Sequence, residues 1–207
     1  MKGMLTGRLA LVTGAGRGNG AAIARGLAAA GARVIVTDVD LEAARTIADS
    51  IVKAGGEARG HALDVTDEEG CRKLAQDVSL LVGPISILVN NAGIFLRGGL
   101  TEPDGRARWE RTMEVNVQGP FNVTMAFIEQ LKHTKGSIVN IASINSFIAP
   151  AGSGVYPVSK GALAQFTRAL ATELAPDGVR ANALAPGIIA TAMTEVTRAD
   201  PKTLDGF

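Results

Sequence analysis

Short β-branched runs alternate along the chain with longer, alanine-rich stretches of helical periodicity. Strands are predicted at 8–13, 33–38, 57–64, 85–91, 137–143 and 179–185, and helices near 18–30, 41–54, 67–82, 106–132 and 154–175. The strand segments are mostly apolar, which is typical of a parallel sheet buried on both faces. The alternation therefore predicts an α/β fold, with a doubly wound parallel sheet and helices on both faces. Ligand sites in such sheets lie at the carboxyl ends of the strands.

The composition is that of one globular domain, which we expect to span 1–207. Of the 207 residues, 46% are hydrophobic and 20% are charged, and the formal net charge is +1. This charge provides no attraction to nucleic acid or to an anionic membrane surface. Cys71 is the only cysteine, so no internal disulfide forms and we expect a reducing, cytoplasmic location. No apolar run approaches the roughly 18 residues of a membrane span, and we expect no signal peptide.

Glycines crowd the segment between the first predicted strand and the first predicted helix, TGAGRGNGAAI over 13–23. Glycine lets backbone N–H groups come close to a ligand, and a helix N-terminus attracts anions. The segment therefore predicts a site for a dinucleotide pyrophosphate. Asp38 ends the second strand about 20 residues farther on, where a carboxylate can accept hydrogen bonds from an adenosine ribose. The alternative is a tight glycine turn and an Asp38 that caps the next helix.

Tyr156, the only tyrosine, and Lys160 are four residues apart in YPVSK and share one face of a predicted helix. A free phenol has a pKa of about 10, but a nearby ammonium and a helix N-terminus both favour the phenolate. Pro157 suits a first helical turn because it has no N–H. Ser143 closes the strand SIVNIAS, where its hydroxyl could orient a substrate carbonyl. Spacing alone leaves open that Tyr156 and Lys160 form an ordinary exposed pair.

Several motifs in the family's order give the chain a resemblance to the short-chain dehydrogenase/reductase family over nearly its whole length. The matching residues are Thr13-Gly14-x-x-x-Gly18-x-Gly20 in the cofactor loop, NNAG at 90–93, the tetrad Asn116, Ser143, Tyr156 and Lys160, and Pro186-Gly187 with Thr191 in the nicotinamide-binding segment. The resemblance implies a single Rossmann-type sheet and an NAD(P)-dependent oxidoreductase that acts on CH–OH groups.

The resemblance also implies a role for each member of the tetrad. Tyr156 would be the general acid in carbonyl reduction, or the base in alcohol oxidation, and Ser143 would polarise the substrate oxygen. Lys160 would lower the phenol pKa and hold the nicotinamide ribose. Asn116 would position a water in a proton relay, although it could instead be a polar residue satisfied inside a helix. The hydride would come from the cofactor.

Residues that match the family's cofactor contacts are spread over the chain. They are Gly14, Arg17, Gly18, Asn19, Gly20, Asp38, Asp64, Val65, Asn91, Ala92, Gly93, Tyr156, Lys160, Pro186, Gly187, Ile189 and Thr191. Asp64 matches the acidic position that meets the adenine. Its alternative role is to cap the next helix, for which Thr66 competes. No metal site is expected, because His61, His133 and Cys71 lack the spacing of metal ligands.

Asp38 and Arg17 give opposite indications about the 2′ position of the adenosine ribose. A carboxylate at the end of the second strand hydrogen-bonds a free 2′-hydroxyl and repels a 2′-phosphate, which favours NAD. Arg17 occupies a position where NADP-preferring relatives often carry a basic residue. Val39, and not an arginine, follows Asp38. NAD is therefore the expected cofactor and NADP the alternative.

The leading hypothesis is hydride transfer between NAD(H) and a secondary alcohol or ketone. Ile94, Phe95, Phe147 and Ile148, in loops at the strand ends, indicate a moderately hydrophobic small-molecule substrate. A 3-oxoacyl group, a sugar or polyol and a cyclic alcohol all stay open. The alternative from another class is a catalytically silent dinucleotide-binding or assembly protein of the same fold. A methyltransferase with a related glycine loop would leave YPVSK unexplained.

The end of the sequence departs from the family pattern. Relatives generally continue past the Pro-Gly segment through a substrate lid, another helix and a final parallel strand, whereas this sequence stops at 207. We therefore expect 187–207 to form a partial lid, the last strand to be absent and the neighbouring sheet edge to be open. The resemblance implies a homo-oligomer, a dimer or tetramer, although elements often used for assembly would be missing.

Overall fold

The computed structural model describes residues 3–199, which fold around one parallel sheet. Its strands are β1 Leu9–Val12, β2 Arg33–Asp38, β3 Glu57–Ala62, β4 Ile87–Asn90, β5 Ser137–Ile141 and β6 Arg180–Leu184. They lie in the order β3-β2-β1-β4-β5-β6, and every neighbouring pair is parallel. The predicted α/β fold with a doubly wound sheet is confirmed.

Helices cover both faces of this sheet. Their bounds are α1 Gly18–Ala29, α2 Leu41–Lys53, α3 Glu68–Leu81, α4 Gly105–Met113, α5 Gly119–Thr134, α6 Tyr156–Glu173 and α7 Glu195–Arg198. Successive strand residues point to opposite faces. In β1, Leu9 and Leu11 pack with side chains of α3, α5 and α6, whereas Ala10 and Val12 pack with those of α1 and α2. Because both faces are covered, the strands carry apolar side chains throughout.

The winding of the chain reverses between β1 and β4, which are hydrogen-bonded neighbours. From β1 the chain proceeds to β2 and β3 on one side, and from β4 it proceeds to β5 and β6 on the other. The connections after these two central strands therefore diverge and leave a crevice at their carboxyl ends. The glycine loop follows β1 and the NNAG turn follows β4, so both motifs lie at this crevice.

The helix predicted over 106–132 is interrupted. A π-helical turn, Glu114–Gln118, separates α4 from α5, and the N–H of Gly119 donates to the carbonyl of Glu114. Pro120, in the first turn of α5, has no N–H to donate to the carbonyl of Asn116, its partner in a continuous α-helix. The periodicity predicted the helical residues but missed this change of helix type, which places Asn116 in the π turn.

Carboxylates cap α2 and α3, but they are not the ones proposed from the sequence. Asp40 caps α2 and Asp67 caps α3, each accepting a hydrogen bond from the backbone N–H three residues ahead, at 3.1 and 3.0 Å. The alternatives in which Asp38 caps α2, or Asp64 or Thr66 caps α3, are therefore wrong. Each of these residues lies at least one position before the N-cap, and the free N–H groups of the first helical turn are bonded by Asp40 or Asp67 instead. Asp38 and Asp64 thus have other partners at the strand ends.

Neither a membrane-crossing helix nor a metal-binding cluster occurs in the described part of the chain. Within residues 3–199, no helix is both long and apolar enough to span a bilayer. In the same range, no group of three or more His, Cys, Asp or Glu side chains is arranged to hold a metal ion. Cys71 is a buried free thiol, and burial raises its pKa to about 12. It is therefore an unreactive packing residue.

Candidate active site

A cavity of about 630 Å³ extends along the carboxyl edge of the sheet, from the glycine loop to the start of α6. Its lining includes most of the predicted site residues: Gly14, Arg17, Gly18, Asn19, Asp38, Asp64, Val65, Asn91, Ala92, Gly93, Ser143, Tyr156, Lys160, Pro186, Gly187, Ile189 and Thr191. Gly20 and Asn116 are the predicted residues that do not line it. Side chains and backbone that are distant in sequence thus converge on one cavity.

The glycines of the loop meet two different requirements. Gly14 and Gly18 have φ of +59° and +54°, a region that side chains disfavour. A Cβ on Gly14 would also approach the Cα of Ala92 to 2.8 Å. Gly20, which was predicted to face the ligand, is instead buried beneath the loop, where a Cβ would overlap the carbonyl oxygen of Gly14. Gly20 therefore serves the packing of α1 against the loop.

The start of α1 carries no capping side chain. Its N-cap residue is Arg17, whose side chain makes no capping hydrogen bond, and no acidic residue lies in the first turn. The first N–H groups of a helix have no partner within the helix, and they carry a partial positive charge. Here they stand beside the cavity, since Gly18 and Asn19 line it. This end of α1 is suited to an anionic group.

Hydrogen bonds tie the glycine loop to the NNAG turn. The Thr13 hydroxyl accepts hydrogen bonds from the N–H groups of Asn91 and Ala92, both at 3.0 Å. The Asn91 side chain donates in return to the carbonyls of Thr13 and Gly14, both at 2.9 Å. The two loops at the crevice are therefore one rigid unit. The sequence motif marked these residues but not this bonding.

The Asp38 carboxylate is held in place at the end of β2. One oxygen accepts a hydrogen bond from Gly16 N at 2.9 Å and the other from Asp40 N at 3.1 Å. The residue is only 7% exposed, yet it lines the cavity. Arg17, on the same wall, is exposed and forms no ion pair with a carboxylate among residues 3–199. Of the two charges, the carboxylate is the more firmly positioned.

The connection after β3 forms another part of the cavity wall. Asp64 accepts hydrogen bonds from the backbone N–H and the hydroxyl of Thr66, at 2.9 and 2.7 Å. These bonds, the backbone one first, hold the pKa of Asp64 below its usual value. Val65 is buried beside it. Sequence reasoning missed the neighbouring lining residues Leu63, Arg111 and Val115, since no motif marks them.

Ser143, Tyr156 and Lys160 meet at the far end of the cavity. Tyr156 begins α6, and Pro157 lies in its first turn as predicted. Lys160 is 4% exposed. Its Nζ lies 5.7 Å from the centroid of the Tyr156 ring and donates to the carbonyl of Ile141 at 2.7 Å. The possibility that Tyr156 and Lys160 are an exposed pair is therefore wrong.

Burial dominates the ionisation of this pair. Loss of solvent lowers the pKa of Lys160 to about 8. It also raises the pKa of Tyr156, and the Ser143 side chain opposes that rise only in part. The expectation of a lowered phenol pKa is therefore not met in this structure. The physical reason is that desolvation penalises the phenolate, while the Lys160 ammonium bonds a backbone carbonyl instead of the phenol oxygen.

Asn116 lies behind the cavity wall, fully buried. Its Oδ1 accepts a hydrogen bond from Ile94 N at 2.8 Å, and its Nδ2 donates to Ile94 O at 2.9 Å and to Ser159 Oγ at 3.0 Å. The side chain is thus engaged by the protein, as in the alternative of a satisfied polar residue. A proton-relay role would have to use its main chain.

The wall beside Tyr156 is apolar. It is formed by Ile94, Phe95 and Leu96 from one loop and by Ile189 and Met193 from another. The expectation for Ile94 and Phe95 agrees with this position, whereas Leu96 and Met193 were missed because their loops have no periodic pattern.

Two other loop residues were misplaced by sequence reasoning. Phe147 and Ile148 are 69% and 46% exposed and do not line the cavity. They follow the short 3₁₀ turn Ile144–Ser146, which directs the chain away from the cavity and toward the surface. The expected substrate contact by these two side chains is therefore wrong.

Arg97 links the two loops at the entrance. Its guanidinium carbon lies 4.9 Å from the centroid of the Phe95 ring, and its side chain hydrogen-bonds the hydroxyl of Thr197 in α7. The Phe95 ring in turn lies 4.8 Å from the Tyr156 ring, centroid to centroid, at an interplanar angle of 42°. The segment that includes α7 is thereby connected to the aromatic wall of the site.

Comparisons with known proteins agree with this geometry. A family model described as short chain dehydrogenase matches residues 8–202. The 3-oxoacyl-(acyl-carrier-protein) reductase FabG of Aquifex aeolicus is 42% identical over 199 residues, covering 93% of this chain and 78% of the relative. The galactitol 2-dehydrogenase (L-tagatose-forming) of Cereibacter sphaeroides is 42% identical over 204 residues, covering 97% of this chain and 79% of the relative.

A solved structure shows the same fold. The gluconate 5-dehydrogenase of Burkholderia cenocepacia, in complex with NADP and tartrate, superposes with a TM-score of 0.92 at 37% identity, covering 99% of this chain and 80% of that one. The family model covers both the glycine loop and the YPVSK helix. The chain belongs to the short-chain dehydrogenase/reductase family of oxidoreductases.

Proposed function

We propose that the protein transfers a hydride between a nicotinamide dinucleotide and a secondary alcohol or ketone. The observation that carries the proposal is that Ser143 and Tyr156 meet at one end of a cavity whose other end is the glycine loop. Two hydroxyls can bind a carbonyl oxygen, and a crevice fit for a dinucleotide adjoins them. Reversible carbonyl reduction needs this combination. We also propose that a single domain holds both ligands, since one cavity contains both sets of residues.

The glycine loop and its neighbours would hold the dinucleotide. Positive φ at Gly14 and Gly18 leaves backbone N–H groups uncovered, and the uncapped start of α1 favours a pyrophosphate. Asp64 with Val65 would lie at the adenine, and 186–191 at the nicotinamide. When bound, the nicotinamide supplies or accepts the hydride.

Tyr156 would move the proton. Burial raises its pKa, so the phenol is protonated at neutral pH and can donate to a carbonyl oxygen. Ser143 Oγ accepts a hydrogen bond from Asn145 N at 3.1 Å, which leaves its own proton to donate to the substrate oxygen. Lys160, a cation below a pKa of about 8, would stabilise the phenolate that remains and bind the nicotinamide ribose.

We assign Asn116 to the proton path through its main chain. Its amide is occupied by Ile94 and Ser159, so the side chain is not the group offered to a water. The carbonyl lacks its α-helical donor because Pro120 has no N–H. That carbonyl would bind a water which passes protons between Lys160 and solvent.

We propose NAD as the preferred cofactor. The support is the Asp38 carboxylate, which two backbone N–H groups hold at the cavity wall, where it would accept from a ribose 2′-hydroxyl and repel a 2′-phosphate. Arg17, exposed on the same wall, favours the opposite choice. The Burkholderia relative binds NADP, so the preference has to be measured on this chain. Fluorescence titration with NADH and NADPH does so, and tighter binding of NADPH would contradict the proposal.

The substrate would be a small secondary alcohol or its ketone, with an apolar part against Phe95, Leu96 and Met193. Relatives include a 3-oxoacyl reductase, a galactitol dehydrogenase and a cyclopentanol dehydrogenase, so all three classes belong in a first panel. Each compound is assayed in both directions with both cofactors, with nicotinamide absorbance as the readout. Cofactor binding without turnover of any compound would favour a catalytically silent dinucleotide-binding protein.

We propose that the protein is a homo-oligomer. On α5, Phe121 and Met125 are 45% and 39% exposed, and the Phe121 ring lies 6.0 Å from that of Phe166 on α6. A second copy of the chain would cover this apolar helix face. Light scattering gives the mass in solution, and a monomer at micromolar concentration would contradict the proposal.

A further inference from the structure

Ser159 lies between two residues of the site and is completely buried. Its hydroxyl accepts a hydrogen bond from Asn116 Nδ2 at 3.0 Å and donates one to the carbonyl of Tyr156 at 2.8 Å. The hydroxyl therefore uses both its proton and an acceptor position. It joins the π turn that contains Asn116 to the first turn of α6, where the phenol is attached.

These bonds belong to a closed circuit that begins and ends on Tyr156. Asn116 holds the backbone of Ile94 through two hydrogen bonds, at 2.8 and 2.9 Å. The next residue, Phe95, places its ring 4.8 Å from the Tyr156 ring. Tyr156 is thus held from its main chain through Ser159 and from its ring through Phe95. The contacts of the circuit therefore restrain the phenol from two directions.

We propose that Ser159 is a positioning residue that sets the orientation and ionisation of the Tyr156 phenol. It does not touch the cavity, so it acts through Tyr156 and Asn116. The consequence for turnover rests on the proposed function, whereas the effect on the phenol does not. Loss of the hydroxyl leaves Asn116 Nδ2 without this acceptor and the Tyr156 carbonyl with only its helical hydrogen bond from Lys160 N. The π turn and the first turn of α6 are then no longer joined, and we expect the first turn to shift relative to Ser143. Displacements of about 1 Å at a reacting group reduce rates by up to about a hundredfold.

Thr167 provides a matched control on the same helix. Its hydroxyl accepts a hydrogen bond from Asn140 Nδ2 and donates one to the carbonyl of Leu163, both at 2.8 Å, and it is 5% exposed. The chemistry is that of Ser159: an asparagine amide, a buried hydroxyl and a carbonyl one turn back in α6. Thr167 lies two turns farther along the helix, and its hydroxyl bonds Asn140 and Leu163, neither of which belongs to the circuit. A purely structural role for Ser159 predicts equal consequences from removing either hydroxyl.

The single tyrosine makes the phenol directly observable. Tyrosine labelled with ¹³C at Cζ gives one NMR resonance, which reports the position and the pKa of Tyr156 without substrate or cofactor. We expect Ser159→Ala to shift this resonance at neutral pH. We also expect it to raise the titration midpoint by about half a pH unit, because the phenolate loses its alignment with the Ser143 hydroxyl. In Thr167→Val, the resonance and midpoint should match the wild type. Equal spectra for all three proteins would overturn the proposal.

Kinetics distinguish this proposal from the assignment of Tyr156 itself. With a substrate from the panel, Ser159→Ala should lower kcat about tenfold or more, change KM less than threefold and move the pH profile to higher pH. Ser159→Thr, which keeps a hydroxyl, should recover most of the loss and also serves if the alanine variant does not fold. If Tyr156→Phe retains activity, the proposed function fails while the NMR result stands. If Tyr156→Phe is inactive but Ser159→Ala behaves like Thr167→Val in both measurements, the positioning role fails.

Discussion

The Lys160 ammonium lies 5.7 Å from the centroid of the Tyr156 ring, yet its hydrogen bond goes to the carbonyl of Ile141. The cation is therefore close enough to act on the phenol electrostatically without pairing with it. Both groups are deprived of solvent, which favours their neutral forms. Lys160 therefore holds its proton against a desolvation cost, whereas burial favours the protonated Tyr156, and the cost at Lys160 is measurable.

Stability should rise with pH between about 8 and 10.5 because of Lys160. Its pKa in the folded protein is about 8, against an ordinary value of 10.5 for a solvated lysine. Between these two pH values Lys160 keeps its proton in the unfolded chain but has lost it in the folded protein. The free energy of unfolding therefore increases by up to about 1.4 kcal/mol per pH unit. Below a pH of about 8 the benefit is absent, because both states are charged. Denaturant unfolding at several pH values measures the trend.

Lys160→Met is the control for that effect. It keeps the length of the side chain and removes the titrating group, so its stability curve should lack the rise seen in the wild type. The comparison uses the difference between the two proteins at each pH, so that the contributions of groups remote from Lys160 cancel. Parallel curves would show that Lys160 is not desolvated in solution.

Tyr156→Phe should reduce kcat at least about a hundredfold, the lower scale of general acid–base catalysis. The phenyl ring keeps its contact with Phe95, so the variant should still fold. Its NADH dissociation constant should stay within a factor of about two of the wild-type value. Steady-state assays with a substrate found in the panel give kcat. Fluorescence titration with NADH gives the dissociation constant. Unchanged turnover would show that another group moves the proton.

Asp38→Asn should relax the cofactor preference toward NADPH by about tenfold or more, because the repulsive charge is gone while the side-chain shape is kept. The ratio of the NADH and NADPH dissociation constants is the quantity to compare. Asp40→Ala is a matched control two residues away. It removes the α2 cap and costs about 1 kcal/mol of stability, but it should leave that ratio unchanged. The same ratio in wild type and Asp38→Asn would rule out a selective role for the carboxylate.

Two glycine-to-alanine changes should act in opposite directions. Gly14→Ala combines a φ of +59° with an approach to Ala92 of 2.8 Å, so it should cost about 2 kcal/mol or more and abolish dinucleotide binding. Gly26, inside α1, has open space at its Cβ position. Gly26→Ala should therefore stabilise the protein by about 0.5–1 kcal/mol. Thermal unfolding with and without NADH separates the two effects. A Gly14→Ala protein that still binds NADH normally would show that the loop does not approach the ligand.

Much of the fold could be predicted because the relevant signals are local. An apolar run such as RVIVTD is a buried parallel strand wherever it lies in the sheet, and it forms β2 over Arg33–Asp38. The helix over 106–132 was harder, since periodicity does not distinguish an α from a π turn. The interruption at Glu114–Gln118 arises where Pro120 withdraws one backbone donor, and one residue leaves little trace in a pattern averaged over two turns.

Most of the site residues were predicted from motifs, and the errors concern Gly20 within the glycine motif and loop residues outside any motif. Asp38 and Tyr156 line the cavity as expected. The capping residue of α2 is Asp40 and not Asp38, because the cap is the residue directly before the first helical turn, which begins at Leu41. Leu96 and Met193 were missed and Phe147 was misplaced, since loop paths are set by contacts between segments distant in sequence.

The sequence by itself determined the parallel sheet, the glycine loop after its first strand and the tyrosine and lysine one helical turn apart, because hydrophobic periodicity and residue spacing act over a few residues. Only the tertiary structure decided how those groups ionise and what holds them. Burial, which removes solvent from Lys160 and Tyr156, is a property of the whole fold. So is the path from Ile94 through Asn116 to Ser159, whose hydrogen bonds join three separate segments at distances of 2.8–3.0 Å.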